Sequence, residues 1–186
     1  MHKSLVGKDT RLPAVEERAF RIWLKRHWGK AVPSYVEAAR GSTPGVPDVQ
    51  LLLPGLSLPL PVELKVGVFK RYDRGRIMPR HLRADQISWH DAMARRGGKT
   101  CILLGLAQSW AGTQFRWNGE FDVYAQLDCR HEILKDWRAG WPVDTLTRLI
   151  WDEAGLDFDA LKTCMALGQP LQGSQDVAGA LKGLPR

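Results

Sequence analysis

The sequence predicts a mixed α/β (α+β) fold: a mixed β-sheet flanked by helices, with a hairpin and helical extension toward the C-terminus. Three observations predict it. Apolar residues recur at helical spacing through "LPAVEERAFRIWLKRHW". Two apolar runs of strand length, Val46–Leu53 and Val62–Val68, follow it. The continuous apolar run in "KTCILLGLA" then reads as a buried strand.

The first helix runs from Leu12 to about Trp28. Asp9 or Thr10 can cap it, Pro13 suits its first turn, and Val15, Ala19, Ile22 and Trp23 supply its apolar spacing. At 100° per residue Glu16 falls within the arc of Ala19, Phe20 and Trp23, whereas Glu17 lies toward the far side. An acidic residue near the start of a helix also suits the positive end of the helix dipole. "KAVPSYVEAAR" reads as a short strand or irregular crossing, and "GSTPG" as a turn. Between the two candidate strands, "PGLSLPLP" holds three prolines that interrupt ladder pairing, so it reads as a loop. "VGVFKRYDRGRIMPRH" is basic and rich in turn formers and also reads as a loop. A helix over 84–95 ends at the Gly97-Gly98 stop signal. The Asn-Gly in "TQFRWNGEFDVYAQL" marks a hairpin. Pro142–Glu153 and Phe158–Leu167 read as helices, and residues 168–186 as a flexible tail rich in Gln, Gly and Ser.

With 186 residues the chain can bury one ordinary core, and 44% hydrophobic against 25% charged residues argues against wholesale disorder. No run of 18 apolar residues suggests a membrane span, and the first residues lack the apolar core of a signal peptide. Cys101, Cys129 and Cys164 are odd in number and widely spaced, which suits reduced thiols better than a zinc site or disulfides. The net charge of +7 is unevenly distributed. Residues 65–99 carry ten Lys/Arg against three Asp/Glu, while residues 117–186 carry seven against eleven. A basic front half fits a polyanion, as clustered Lys and Arg release counter-ions from phosphates, although a solvated basic face has the same composition.

The chemistry concentrates in "GVPDVQLLLPGLSLPLPVELKVG". Side chains alternate along a strand, so Glu63 and Lys65 share one face while Leu64 points into the opposite layer. If the two strands pair antiparallel, Asp48 at the start of the first lies opposite the end of the second. Two carboxylates and an ammonium then gather on one face. A hard divalent cation takes one or two protein carboxylates with waters and a phosphate, and could lower the pKa of a bound water. Lys65 could orient that water or stabilise the pentavalent phosphorus, and near a metal its ammonium could titrate lower and serve as a base. An isolated Glu-x-Lys on a strand is ordinarily just an ion pair.

The combination of Pro47-Asp48 with Glu63-Leu64-Lys65 resembles the PD-(D/E)xK nuclease superfamily, whose fold is restriction-endonuclease-like. The fuller string, "GVPDV…PVELKVG…LRADQISWHDAMARRGGKTCILLG", is similar to VRR-NUC domains and phage-type Holliday junction-resolving endonucleases. The resemblance covers Leu12 to Leu106. It implies a nuclease core over residues 1–110; residues 111–167, which the resemblance does not cover, read as a hairpin and helices completing the same domain. It further implies a Mg²⁺-dependent endonuclease, with Mn²⁺ able to substitute, that hydrolyses DNA and favours branched forms such as Holliday junctions or flaps. Asp48, Glu63, the Leu64 backbone carbonyl and Glu16 would hold the metal, Lys65 would be the catalytic lysine, and Gln86 would be directed at the site; Glu17 could replace Glu16. Lys70, Arg71, Arg74, Arg76, Arg80 and Arg83 would grip backbone phosphates without reading sequence. His81 and His90 flank the start of the Gln86 helix and could contact phosphate or metal, although hydrogen-bonded or exposed roles are commoner. The resemblance implies a cytoplasmic protein of a bacterium or phage-infected host, with no membrane partner. Cutting both strands symmetrically would require two sites, hence a homodimer. The other readings are a non-catalytic nuclease-fold module that binds DNA or protein, and a nuclease acting on RNA.

Overall fold

The computed structural model describes residues 12–28, 34–37, 44–53, 55–70, 73–107, 110–111, 114–115, 120–153 and 155–167. Helix α1 spans Leu12–His27, followed by strands β1 (Ser34–Glu37), β2 (Val49–Leu52), β3 (Leu60–Lys70) and β4 (Asp73–Pro79). Helix α2 (Ala84–Arg95) leads into β5 (Cys101–Ala107). Then come the two-residue strands β6 (Trp110–Ala111) and β7 (Gln114–Phe115), β8 (Phe121–Gln126) and the single turn α3 (His131–Leu134). Strands β9 (Trp141–Pro142), β10 (Thr147–Leu149), β11 (Trp151–Asp152) and β12 (Gly155–Leu156) precede α4 (Phe158–Leu167).

An eight-stranded mixed sheet organises these elements in the order β1-β2-β3-β5-β8-β10, with β4 beside β3 and β9 beside β4. The β3–β5 pair is parallel and the other pairs are antiparallel. β5 needs its unbroken apolar run because helices cover both faces of the sheet. Cys101 and Leu103 enter the core beneath α1 and α4, with Phe20, Leu24, Leu64, Phe158 and Leu161. Ile102 and Leu104 enter a second core with Ile87 of α2, Leu134 of α3, Ile77 and Trp141. The predicted fold class is therefore the observed one, an α+β arrangement with helices on both faces of a mixed sheet. The α1 helix lies close to β5: a Cβ at Gly105 would collide with the Phe20 ring.

Several sequence expectations need correction. The basic segment read as a loop is instead a hairpin: β3 continues to Lys70, and β4 pairs with it from Gly67↔Pro79 to Lys70↔Asp73. Its outer residues show little apolar alternation, so pairing to β3 and the burial of Ile77, rather than local pattern, make β4 a strand. Pro142–Glu153 is not a helix. It comprises the end of β9, a 3₁₀ turn over Val143–Thr145, β10 and β11. β10 pairs with β8, burying Thr147 and Leu149 while Arg148 points out, and this tertiary pairing overrides an apolar spacing that also fits a helix. In the expected Asn-Gly hairpin, β7 pairs with β6, and β8 pairs with β5 and β10; Asn118 and Gly119 lie outside the described residues, as does the tail over 168–186.

Candidate functional site

The site lies where the sheet forks. β5 lies along one edge of β3 from Val62 to Gly67. On the other edge β2 pairs with β3 only through Leu60, Pro61 and Val62, and β4 joins only from Gly67. The edge between them is left to side chains and to the chain leaving β4, whose Arg80 N–H donates to the Val66 carbonyl (2.8 Å). The register Val49↔Val62 continues to place Asp48 beside Glu63. Asp48 thus lies across from the early part of β3, not its end as expected, because β3 runs on to Lys70 beyond its pairing with β2.

Asp48 fills the gap in the ladder. Its Oδ2 accepts a hydrogen bond from the Leu64 N–H (3.0 Å). The N–H and carbonyl of a strand residue point to the same side, so the Leu64 carbonyl also faces this edge. Gly45 brings the Asp48 turn tight against α2. With φ at 87° it adopts a left-handed conformation, and a Cβ there would collide with the Asp85 carbonyl.

Glu63 and Lys65 project to the α2 side, as alternation predicts, while Leu64 is buried under α1 and α4. Both are buried: Glu63 is 0% and Lys65 4% exposed. Glu63 Oε1 accepts from Lys65 Nζ (2.7 Å) and from Gln86 Nε2. Gln86 can only donate this way because its Oε1 accepts the Arg83 N–H (3.0 Å) at the start of α2. One amide therefore caps the helix and orients a buried carboxylate. Glu63 Oε2 is buried with no hydrogen-bond donor in reach among the described residues. Burial raises the Glu63 carboxyl to about 8; the Asp48 carboxylate adds to this, and Lys65 opposes it. Burial pulls the Lys65 ammonium down, but Glu63, Glu17 and Asp48 outweigh it, and the net shift is upward. In this arrangement Lys65 is a proton-bearing cation rather than a base.

Among the described residues, the α1 carboxylate that reaches the cluster is Glu17, whose Oε2 lies 3.7 Å from Lys65 Nζ. Burial raises its pKa, while Lys65 opposes the shift. The sequence reading favoured Glu16, whose side chain lies outside the described residues. Leu24 and Trp28, buried with Phe20 and Trp23, rotate the buried arc of α1 toward Glu17 and account for that inward placement. Four residues on, Arg21 Nη2 contacts Asp48 Oδ1 (2.8 Å). Nothing in the sequence singled out Arg21, since a basic residue flanking an apolar stripe is the common case.

His90 lies one turn beyond Gln86 and is fully buried. Thr100 Oγ1 donates to the Pro61 carbonyl (3.1 Å), so its 2.7 Å contact with His90 Nδ1 requires the imidazole to carry the proton on Nδ1 and donate it. His90 Nε2 is then a buried acceptor without a donor among the described residues. Burial lowers this imidazole to about 4, Lys65 pushes it the same way, and His90 is neutral. His81 is exposed, with φ at 55°, in the turn between β4 and α2.

The six basic residues expected to grip phosphate do not form one loop. Arg76 lies on β4, where its Nη1 donates to the Gly140 carbonyl (2.8 Å) and ties the hairpin to the segment before β9. Arg83 is exposed and pairs with Asp85 (3.1 Å). Arg80 follows β4 at the fork. Arg71 and the side chains of Lys70 and Arg74 lie outside the described residues.

Among the described residues, no three His, Cys, Asp or Glu side chains converge as a ready-made metal-binding group. The donor set is nevertheless of the type a hard cation uses: two crowded carboxylates, a carboxylate oxygen without a donor, and a strand carbonyl on the same edge. No helix among the described residues is long and apolar enough to cross a membrane. Comparison of the chain with family models, curated proteins and solved structures returns no match.

Proposed function

We propose that the chain is a Mg²⁺-dependent endonuclease, with Mn²⁺ able to substitute, that hydrolyses DNA phosphodiester bonds and prefers branched forms such as Holliday junctions or flaps. The observation that carries this reading is the sheet fork, where Asp48, Glu63, Lys65 and Gln86 meet around a buried carboxylate oxygen that has no donor among the described residues. Burying so many polar groups is costly and adds little stability. Sites that bind cations and phosphates need such groups, and structural hairpins do not. A restriction-endonuclease-like reading of the fold accords with these residues lying just before β2, on β3 and on α2.

Asp48, Glu63 and the Leu64 carbonyl would hold the cation, with an α1 carboxylate, Glu16 in the sequence reading or Glu17, as a further contact. The bound cation would lower the pKa of a water and offset charge developing on the phosphate. The remaining roles belong to the chain. The Leu64 N–H fixes one oxygen of Asp48, and Gln86 fixes one oxygen of Glu63. The ammonium of Lys65, held protonated by its carboxylate neighbours, supplies a hydrogen-bond donor toward the phosphorane oxygens. The excess of Lys and Arg over residues 65–99 supports a polyanionic substrate.

Labelled four-way junction, flap and linear duplex, incubated with Mg²⁺ or Mn²⁺, test the reading, with matched RNA as a control. Cleavage should require the cation and cease with chelator. Asp48→Ala and Lys65→Ala should lose about 10²-fold or more of the rate while DNA binding is largely kept. Chelator-insensitive binding without cutting would instead identify a non-catalytic binding module.

A further inference from the structure

Two cations stand among the carboxylates at the fork, and they differ in freedom. Lys65 has a side chain only 5% exposed, between Glu63 and Glu17, and has nowhere to go. The Arg21 side chain is 34% exposed at the rim; among the described residues it hydrogen-bonds one oxygen of Asp48 and lies near the Glu17 carboxylate. The other oxygen of Asp48 is tied to the Leu64 N–H. Oδ1 is therefore the oxygen that can be exchanged, and the Arg21 guanidinium is what must be exchanged for it. A divalent cation entering between Asp48 and Glu63 would meet a positive charge already on that oxygen. Once displaced, the guanidinium stays on α1 one turn beyond Glu17, at the partly exposed rim beside Asp48. Its planar fork of N–H donors matches a phosphodiester.

On the proposed nuclease reading, we infer that Arg21 is a counter-ion latch: it occupies Asp48 in the cation-free protein and passes to the substrate phosphate when a divalent cation takes Asp48 Oδ1. The latch keeps the carboxylates aligned without a cation and links cation binding to substrate grip. It also sets two effects of opposite sign on one residue. Removing Arg21 removes a competitor of the cation and, at the same time, a contact of the DNA. A purely structural ion pair between α1 and the β2 turn would lower both functions together.

The test measures Mn²⁺ binding to the full chain without DNA, by calorimetry or electron paramagnetic resonance, alongside junction cleavage, for the parent, Arg21→Gln and Arg21→Lys. Arg21→Gln should bind Mn²⁺ about fivefold more tightly, the scale of a partly exposed ion pair. Its kcat/KM on DNA should fall on the order of tenfold, the scale of one charge-assisted hydrogen bond. Arg21→Lys, which keeps the charge and loses the fork, should match the parent in Mn²⁺ affinity and lie between the two in cleavage. Unchanged or weaker Mn²⁺ binding by Arg21→Gln, or unchanged cleavage, overturns the latch while leaving the nuclease reading intact. A parent chain that neither binds Mn²⁺ nor cuts DNA overturns both. If melting curves show that Arg21→Gln does not fold, Arg21→Lys decides: parent-like cleavage there overturns the latch.

Discussion

The two faces of β3 and β5 are built from the same two strands and serve different ends. Under α1 and α4, Leu64, Val66, Cys101 and Leu103 meet Phe20, Leu24, Phe158 and Leu161 in an all-apolar layer. Toward α2, β5 adds Ile102 and Leu104 to a second apolar core, whereas β3 buries Glu63 and Lys65 beside Gln86, His90 and Thr100. The first face holds the domain together through removal of apolar surface from water. The β3 part of the second accepts desolvation of charged groups and leaves Glu63 Oε2 and His90 Nε2 without partners among the described residues. When adjacent residues of one strand behave this differently, the polar face is the one shaped by a task other than folding.

Neighbouring substitutions break that comparison most strongly. Leu64→Ala should destabilise by about 2–5 kcal/mol, because it opens a cavity in a packed layer. Glu63→Gln, one residue away, should leave the protein as stable as the parent or more so near pH 8, while abolishing cleavage. Thermal or urea unfolding of the two variants checks the contrast. A large loss of stability in Glu63→Gln would mean that the carboxylate is structural.

The pH dependence comes next in size. The Glu63 carboxyl is raised from 4.5 to about 8, so the unfolded chain releases this proton first, and stability falls as pH rises between those values. His90 is lowered from 6.5 to about 4, so its contribution is present above 6.5 and is lost as pH falls toward 4. The two slopes oppose each other from about 4.5 to 6.5, and only the Glu63 slope remains from about 6.5 to 8. Cation-free protein should therefore melt at nearly constant temperature over the first interval and progressively lower over the second. Mg²⁺ or Glu63→Gln should remove the second decline. A decline that persists in Glu63→Gln would assign it to another group.

Much of this architecture is readable in the sequence, and the exceptions share a cause. α1, α2, α4 and β5 carry enough residues for their periodicity to stand out, and the Glu63, Leu64, Lys65 alternation follows from the strand alone. β4 and β10 are too short or too polar for that: Ile77 in one and Thr147 with Leu149 in the other become inward-facing only through the strands they join. The fork could not be foreseen either, because it depends on where along one edge of β3 the pairing with β2 ends, at Val62, and the pairing with β4 begins, at Gly67. Without the fork there was no reason to join Arg21 to Asp48.

The smallest effect sharpens the comparison within the polar face. Thr100→Val keeps the shape but removes the acceptor of His90 Nδ1–H and the donor to the Pro61 carbonyl. It should cost about 1–3 kcal/mol in unfolding experiments, with cleavage reduced less than in Lys65→Ala. Equal loss of cleavage in the two variants would place His90 and Thr100 in the chemistry itself.

The central claim is that the fork gathers its carboxylates for a divalent cation. Anomalous diffraction from Mn²⁺-soaked crystals tests it most directly. The prediction is a peak between the carboxylates of Asp48 and Glu63 that Asp48→Ala abolishes. Mn²⁺ bound elsewhere on the molecule, with the fork unchanged from the cation-free protein, would contradict it.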